Sequence, residues 1–260
     1  LGLFTVTFGW VALTAMAAVA GFVTARGQRL AHPEAPLRGN TVLLMPVYNE
    51  DPTRVCASLA AMAEDLDRLG QARHFEVFVV SDSDRPEIWP AETAAIRHLQ
   101  EELSDTMPVW YRRRDKNSAR KAGNIRDFIN NWGNRYDYMV VLDADSLIAG
   151  DSLTTLVREM DADTKLGILQ TLPRLIGGET LYARLQQFAN AIYGPVFARG
   201  LSAWQGDDGN YWGHNAIIRV RAFAESAGLP TMGGPRPFGG EIRSHDFVEA
   251  ALIRRTGWTV

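Results

Sequence analysis

The sequence has one cysteine, Cys56, in 260 residues, which excludes an internal disulfide framework and most cysteine-based zinc sites. It also has no excess of positive charge. With 27 basic against 30 acidic residues the formal charge is −3, so there is no general footprint for nucleic acid, and any site for a polyanion must be local. Neither a glycine-rich dinucleotide fingerprint nor a Walker loop is present, and there is no internal repeat or low-complexity tract. What remains is a chain that is 46% hydrophobic and 22% charged, the composition of a folded protein.

Charge is missing locally as well. Residues 1–25 carry none, and at about 1.5 Å rise per residue such a helix spans a hydrocarbon core of roughly 30 Å. This stretch reads as a transmembrane helix rather than a signal peptide, because no basic segment precedes it and its apolar run exceeds the usual signal core. Arg26, Arg29 and Arg38, opposed only by Glu34, then place the following domain on the cytoplasmic side. Two prolines, Pro33 and Pro36, make 26–37 a short stiff linker, so a soluble domain is expected over 38–260. Because the chain opens on Leu1 and closes on what reads as the start of a strand, Gly257 to Val260, it is read as an excerpt of a longer protein.

Beyond the linker, short β-branched runs alternate with longer amphipathic segments, the pattern of an α/β domain with a mainly parallel sheet. Strands are expected at 41–47, 75–81, 109–112, 138–142 and 166–170. Helices are expected near 51–69, 91–103, 121–132 and 152–161, the first with Asp51 as N-cap and Pro52 at its first position.

In such sheets a ligand sits outside the carboxyl ends of the strands. Three of those ends are followed by acidic residues: Tyr48-Asn49-Glu50-Asp51, Asp82-Ser83-Asp84 and Asp143-Ala144-Asp145. Carboxylates gathered at one rim repel one another unless they hold a cation or hydrogen-bond donors, and oxygen donors of this kind suit Mg²⁺ or Mn²⁺. The plainer alternative is a set of helix caps and solvated turns, where Asp is common. Opposite charge is concentrated in Arg112 to Lys121, where six of ten residues are basic. With Lys121 near a helix N-terminus, this loop is a candidate receptor for phosphate, or else a solvated or lipid-facing basic loop.

Pro46-Val47-Tyr48-Asn49-Glu50, Ser81-Asp82-Ser83-Asp84, Arg120-Lys121-Ala122-Gly123-Asn124, Asp143-Ala144-Asp145 and Ser244-His245-Asp246 occur in the order found in processive family 2 glycosyltransferases, which this chain resembles from Arg38 to Val260. The strings Tyr211 to Arg219 and Ser244 to Ala251 are similar, more narrowly, to the inner-membrane glucosyltransferases of osmoregulated periplasmic glucan synthesis. The resemblance implies a GT-A fold (a Rossmann-like, mainly parallel sheet), UDP-glucose as donor, a divalent metal, Mg²⁺ or Mn²⁺, and a growing β-linked glucan as acceptor. It also implies residence in the bacterial inner membrane, with the catalytic domain facing the cytoplasm and no nucleic-acid partner. Later membrane segments and a Gln-x-x-Arg-Trp-like motif are expected beyond the residues in hand.

Position by position, the resemblance makes Tyr48, Glu50, Asp82, Lys121, Asp143 and Asp145 nucleotide-sugar-binding residues. Asp82 would contact the uracil, while Asp143 and Asp145 would hold the metal, with Asp145 the preferred ligand. Asp246 matches the general base that takes the proton of the attacking hydroxyl. Where many relatives have Thr-Glu-Asp this chain has Ser244-His245-Asp246, so only the last residue is retained and His245 is read as shaping the turn. Asp246 is equally the expected N-cap of a helix over 247–255. Trp212, His214 and Asn215 are read as acceptor-binding, and Trp204 as a further platform for a sugar face. Gly228 to Gly240 reads as a loop near the site. Three other readings stay open at this point: a cellulose-, chitin- or hyaluronan-synthase-like enzyme, a membrane-tethered nucleotide sensor, and a metal-dependent phosphohydrolase.

Overall fold

The computed structural model describes residues 1–24, 34–226, 229, 233–235, 239–240, 242 and 245–260. Most of the expected linker 26–37 and of the loop 228–240, and Ser244, lie outside those residues. In chain order the elements are α1 (Gly2–Thr24), β1 (Thr41–Val47), α2 (Pro52–Arg68), β2 (Phe75–Ser81), α3 (Trp89–Glu102), β3 (Val109–Arg113), α4 (Arg120–Trp132), β4 (Tyr138–Val141), α5 (Gly150–Ala162), β5 (Ile168–Gln170), α6 (Leu181–Gln205), β6 (Ala216–Arg219), α7 (Val220–Ser226) and α8 (His245–Arg255). They group into two compact units, Leu1–Leu30 with Thr171–Gly209, and Ala31–Gln170 with Asn210–Val260.

The second unit is a six-stranded sheet in the order β3-β2-β1-β4-β6-β5. Strands β1, β2, β3 and β4 are parallel, and β6 runs antiparallel to both β4 and β5. Along β1 the side chains alternate between two cores. Leu43, Met45 and Val47 enter one, whereas Val42 and Leu44 enter the other, as the period of two requires. A sheet buried on both faces needs helices on both. In α2, Val55, Leu59, Met62 and Leu66 recur at helical spacing and close the first core with α3 and α5. Ile125 and Phe128 of α4, with Phe223 of α7 and Ile253 of α8, close the second. Each fully buried Leu or Ile contributes about 1.5–3 kcal/mol, so the helices are held chiefly by these faces. Asp51 accepts the Thr53 amide at 3.0 Å and Pro52 opens α2, as the sequence predicts.

Strand order sets the position of the site. Because β2 lies on one side of β1 and β4 on the other, the chain changes direction across the sheet between them, and this opens a crevice at the carboxyl ends of β1 and β4.

In the first unit, α1 and α6 touch backbone to backbone. A Cβ added at Gly21 would lie 1.9 Å from the Val196 carbonyl oxygen, and one added at Gly200 would lie 1.7 Å from that of Ala17, so only glycine permits the approach. Gly2–Val23, 22 residues, is long and apolar enough to cross a membrane. Thr180 caps α6 by accepting the Ala183 amide at 3.2 Å.

Candidate active site

A cavity of about 800 Å³ occupies the crevice, and its lining includes Tyr48, Glu50, Asp82, Lys121, Asp143 and Asp145. All six expected nucleotide-sugar residues therefore reach one space. Arg54 and Arg120, with the amides of Asn117 and Asn124, line it as well.

The loop after β1 is held by that after β2. Asn49 takes a left-handed φ of 62° and turns the chain sharply, a conformation asparagine tolerates better than most residues. Its amide donates to Ser83 Oγ at 2.8 Å, and its side-chain oxygen accepts the amides of Asp84 and Arg85 at 3.2 and 3.1 Å. Its Nδ2 donates to Asp84 at 2.8 Å, and with the Tyr48 hydroxyl this holds the Asp84 carboxyl below the usual carboxylate range. Behind them Glu92, 3% exposed, accepts hydrogen bonds from Ser83 Oγ at 2.6 Å and from the Tyr111 hydroxyl at 2.8 Å. A buried carboxylate with two donors thus anchors the rim.

Asp82 is placed at the cavity in a way the sequence did not reveal. It is 4% exposed, and Arg114 near the start of the basic run donates to both its oxygens at 2.7 Å. This fork-to-fork pair fixes the guanidinium plane. The next turn is tighter. Ala119 and Arg120 have φ of 55° and 50°, and a Cβ at Gly123 would fall 2.0 Å from the Ser118 carbonyl oxygen. Two consecutive left-handed residues outside glycine cost on the order of 1–2 kcal/mol each. They start α4 with no side-chain cap, and Asn117, Arg120 and Lys121 around that helix start line the cavity. The amides of a helix start and two cations are groups that suit phosphate oxygens.

Lys121 forms an ion pair with Asp143 and donates to the Gly213 carbonyl oxygen at 2.9 Å. Gly213 lies between Lys121 and Asp246. Its φ is 87°, and a Cβ there would stand 3.3 Å from Asp246 Oδ2, so the absence of a side chain lets Asp246 lie against the strand leading to β6. Asp246 is inside the first turn of α8, since the helix begins at His245; the expected N-cap role is corrected to a first-turn carboxylate, where the helix dipole favours negative charge. Around Gly213, Gln170 accepts the Trp212 amide at 2.9 Å and donates to the His214 carbonyl oxygen at 3.0 Å, while the Asn215 amide donates to Val141 at 2.7 Å. His214 Nδ1 stands 3.9 Å from Asp143 Oδ2. His214 thus stands beside Asp143, Trp212 and Asn215 are held by Gln170 and Val141 in the same stretch of chain, and Trp204 is on α6, in the other unit.

Among the described residues, no three His, Cys, Asp or Glu side chains gather closely enough to form a metal cage. Asp143 and Asp145 offer two carboxylates to the cavity, with Asp143 also paired to Lys121. Two oxygen ligands suit a hard cation that takes its remaining ligands from a diphosphate and water.

Fold and site together define a GT-A-type α/β domain, and the chain belongs to glycosyl transferase family 2, whose family model matches residues 42–226. Among curated proteins it is similar to glucans biosynthesis glucosyltransferase H of Xanthomonas oryzae pv. oryzae, at 49% identity over 99% of this chain and 41% of that protein. The protein of the same name from Shewanella oneidensis is 50% identical over 100% of this chain and 36% of its own length. The chain therefore spans about two fifths of these relatives. Among solved structures it is similar to the mannosyltransferase PcManGT of Pyrobaculum calidifontis, determined with GDP-Man and Mn²⁺, with a TM-score of 0.57 and 18% identity over 96% of this chain and 64% of that one; this likeness is one of fold.

Proposed function

We propose that the protein transfers glucose, with inversion, from UDP-glucose to a growing β-glucan that becomes a periplasmic glucan. The observation that carries this reading is the meeting of an acidic rim and a basic helix start at one crevice, where Lys121 also donates to the carbonyl oxygen of Gly213, the residue against which Asp246 lies. The names of the curated relatives support glucose as the sugar.

In this reading the nucleobase lies toward Tyr48 and the Asp82–Arg114 pair, and the diphosphate lies against Lys121 and the start of α4. Asp143 and Asp145 would hold Mg²⁺ or Mn²⁺, which when bound supplies Lewis-acid stabilisation of the leaving diphosphate. Lys121, already paired with Asp143, adds a fixed positive charge at the same place. Asp246 takes the proton of the acceptor hydroxyl as that oxygen attacks the anomeric carbon. Trp212, His214 and Asn215 form the acceptor side. The apolar helix α1 anchors the chain in the bacterial inner membrane, with the sheet unit on the cytoplasmic side.

Calorimetric titration of the full-length protein with UDP-glucose, other UDP-sugars, GDP-mannose and adenine nucleotides, each with and without Mn²⁺, tests the donor. Metal-dependent preference for UDP-glucose is expected. Preference for another nucleotide sugar would replace the donor, and binding of adenine nucleotides alone would move the reading to a sensor or phosphohydrolase.

A further inference from the structure

The first turn of α8 carries more than Asp246. Glu249, one helical turn on, is 1% exposed, and the imidazole Nδ1 of His245 stands 3.1 Å from its Oε2. The His245 side chain is itself only 14% exposed. A carboxylate removed from water is too costly to leave without a polar neighbour, and the imidazole of His245 is the group that stands beside it. The fully buried Tyr211 feels the same carboxylate: burial raises the pKa of its hydroxyl, and Glu249, Asp143 and Asp246 raise it further.

His245 is the residue immediately before Asp246, and Glu249 is three residues after it on the same helix. A contact across positions i and i+4 ties the first turn of α8 to its second, at the end where helices otherwise fray. Because Asp246 lies between the tied residues, its carboxylate is fixed against Gly213 with no side chain between them. We infer that His245 and Glu249 are positioning residues, a buried pair that sets the direction of Asp246 toward the acceptor hydroxyl. The inference rests on the reading of Asp246 as the base.

The test is steady-state glucosyl transfer by the full-length protein, with donor affinity measured separately by calorimetry. His245→Ala and Glu249→Ala are expected to lower kcat at least tenfold while the donor KM and Kd stay within twofold of wild type. Glu249→Gln, which keeps a polar group at hydrogen-bond reach of the imidazole, should recover part of that loss, and it carries the test if Glu249→Ala does not fold. The reciprocal exchange, His245→Glu with Glu249→His, should restore kcat to within about threefold. Alanine variants that keep wild-type kcat, or that lose donor binding and turnover in parallel, would overturn the assignment. Asp246→Asn separates the two levels: if it retains wild-type transfer, the base reading fails and the pair has nothing to position. If it abolishes transfer while the alanine variants do not change kcat, only the positioning role fails.

Discussion

Arg114 donates two hydrogen bonds of 2.7 Å to Asp82, whose carboxylate is 4% exposed at the edge of the cavity. The carboxylate expected to read the nucleobase is therefore half of an ion pair, and the guanidinium is as much a part of the rim as Asp82. Removing one partner strands the other charge. Arg114→Ala is expected to destabilise the sheet unit by about 3 kcal/mol, to lower the thermal midpoint by roughly 10 °C, and to raise the donor KM. Thermal unfolding with donor titration checks both, and an unchanged midpoint would remove the structural role of the pair.

The rim after β1 depends on a residue that never reaches the cavity. Glu92 accepts from Ser83 Oγ and Tyr111, and Ser83 Oγ in turn accepts the Asn49 amide. In Glu92→Gln one of those acceptor oxygens becomes a donor facing a hydroxyl donor, which strains the chain of bonds at about 1–3 kcal/mol. The donor KM should rise severalfold with kcat nearly unchanged. Equal loss of kcat would place Glu92 nearer the chemistry than its position behind Ser83 allows.

Asp84, in the same loop, is held below the usual carboxylate range by the Asn49 side chain and then by Tyr48. A depressed carboxylate contributes order above the pKa it has when unfolded, and that contribution disappears as pH falls through its folded value. The Tyr48–Asn49 loop should therefore loosen only in acid, below the ordinary carboxylate range. Hydrogen exchange of the Asn49 amide from neutral pH downward tests this, and loosening already near neutral pH would contradict it.

Strands β1 and β2 fall at the residues the hydrophobic runs predict, because they are buried on both faces and have little else to be. The acidic triplets were legible for the same reason: in a parallel sheet the carboxyl ends are fixed once the strands are. Other parts were not legible. Leu166 makes a single bridge to Thr259 instead of starting β5, since its partner comes from the far end of the chain. Helix α6 carries Gly194, Pro195 and Gly200, residues that read as breaks, yet Gly200 is there to let α1 approach. The Asp82–Arg114 and His245–Glu249 pairs depend on side-chain directions that spacing alone does not supply.

Cys56 packs against the core, and burial, followed by the charges of Glu92 and Glu102, pushes its thiol up to about 11. At pH 8 such a thiol is roughly 0.1% ionised, against roughly a quarter for an ordinary cysteine. Maleimide labelling of Cys56 should be slowed at least a hundredfold in the folded protein and become fast in denaturant. Rapid labelling of the native protein would contradict this placement of the thiol.

In the proposed function Asp246 performs the chemistry at a site whose donor-binding parts are built from other residues. The most direct measurement compares wild type with Asp246→Asn in two assays on the full-length protein, transfer of radiolabelled glucose from UDP-glucose into glucan and calorimetric binding of UDP-glucose with Mn²⁺. The substitution is expected to abolish transfer, by at least a thousandfold at the scale of a lost general base, while donor affinity stays within a few-fold of wild type. Wild-type transfer by Asp246→Asn, or loss of donor binding in step with transfer, would contradict it.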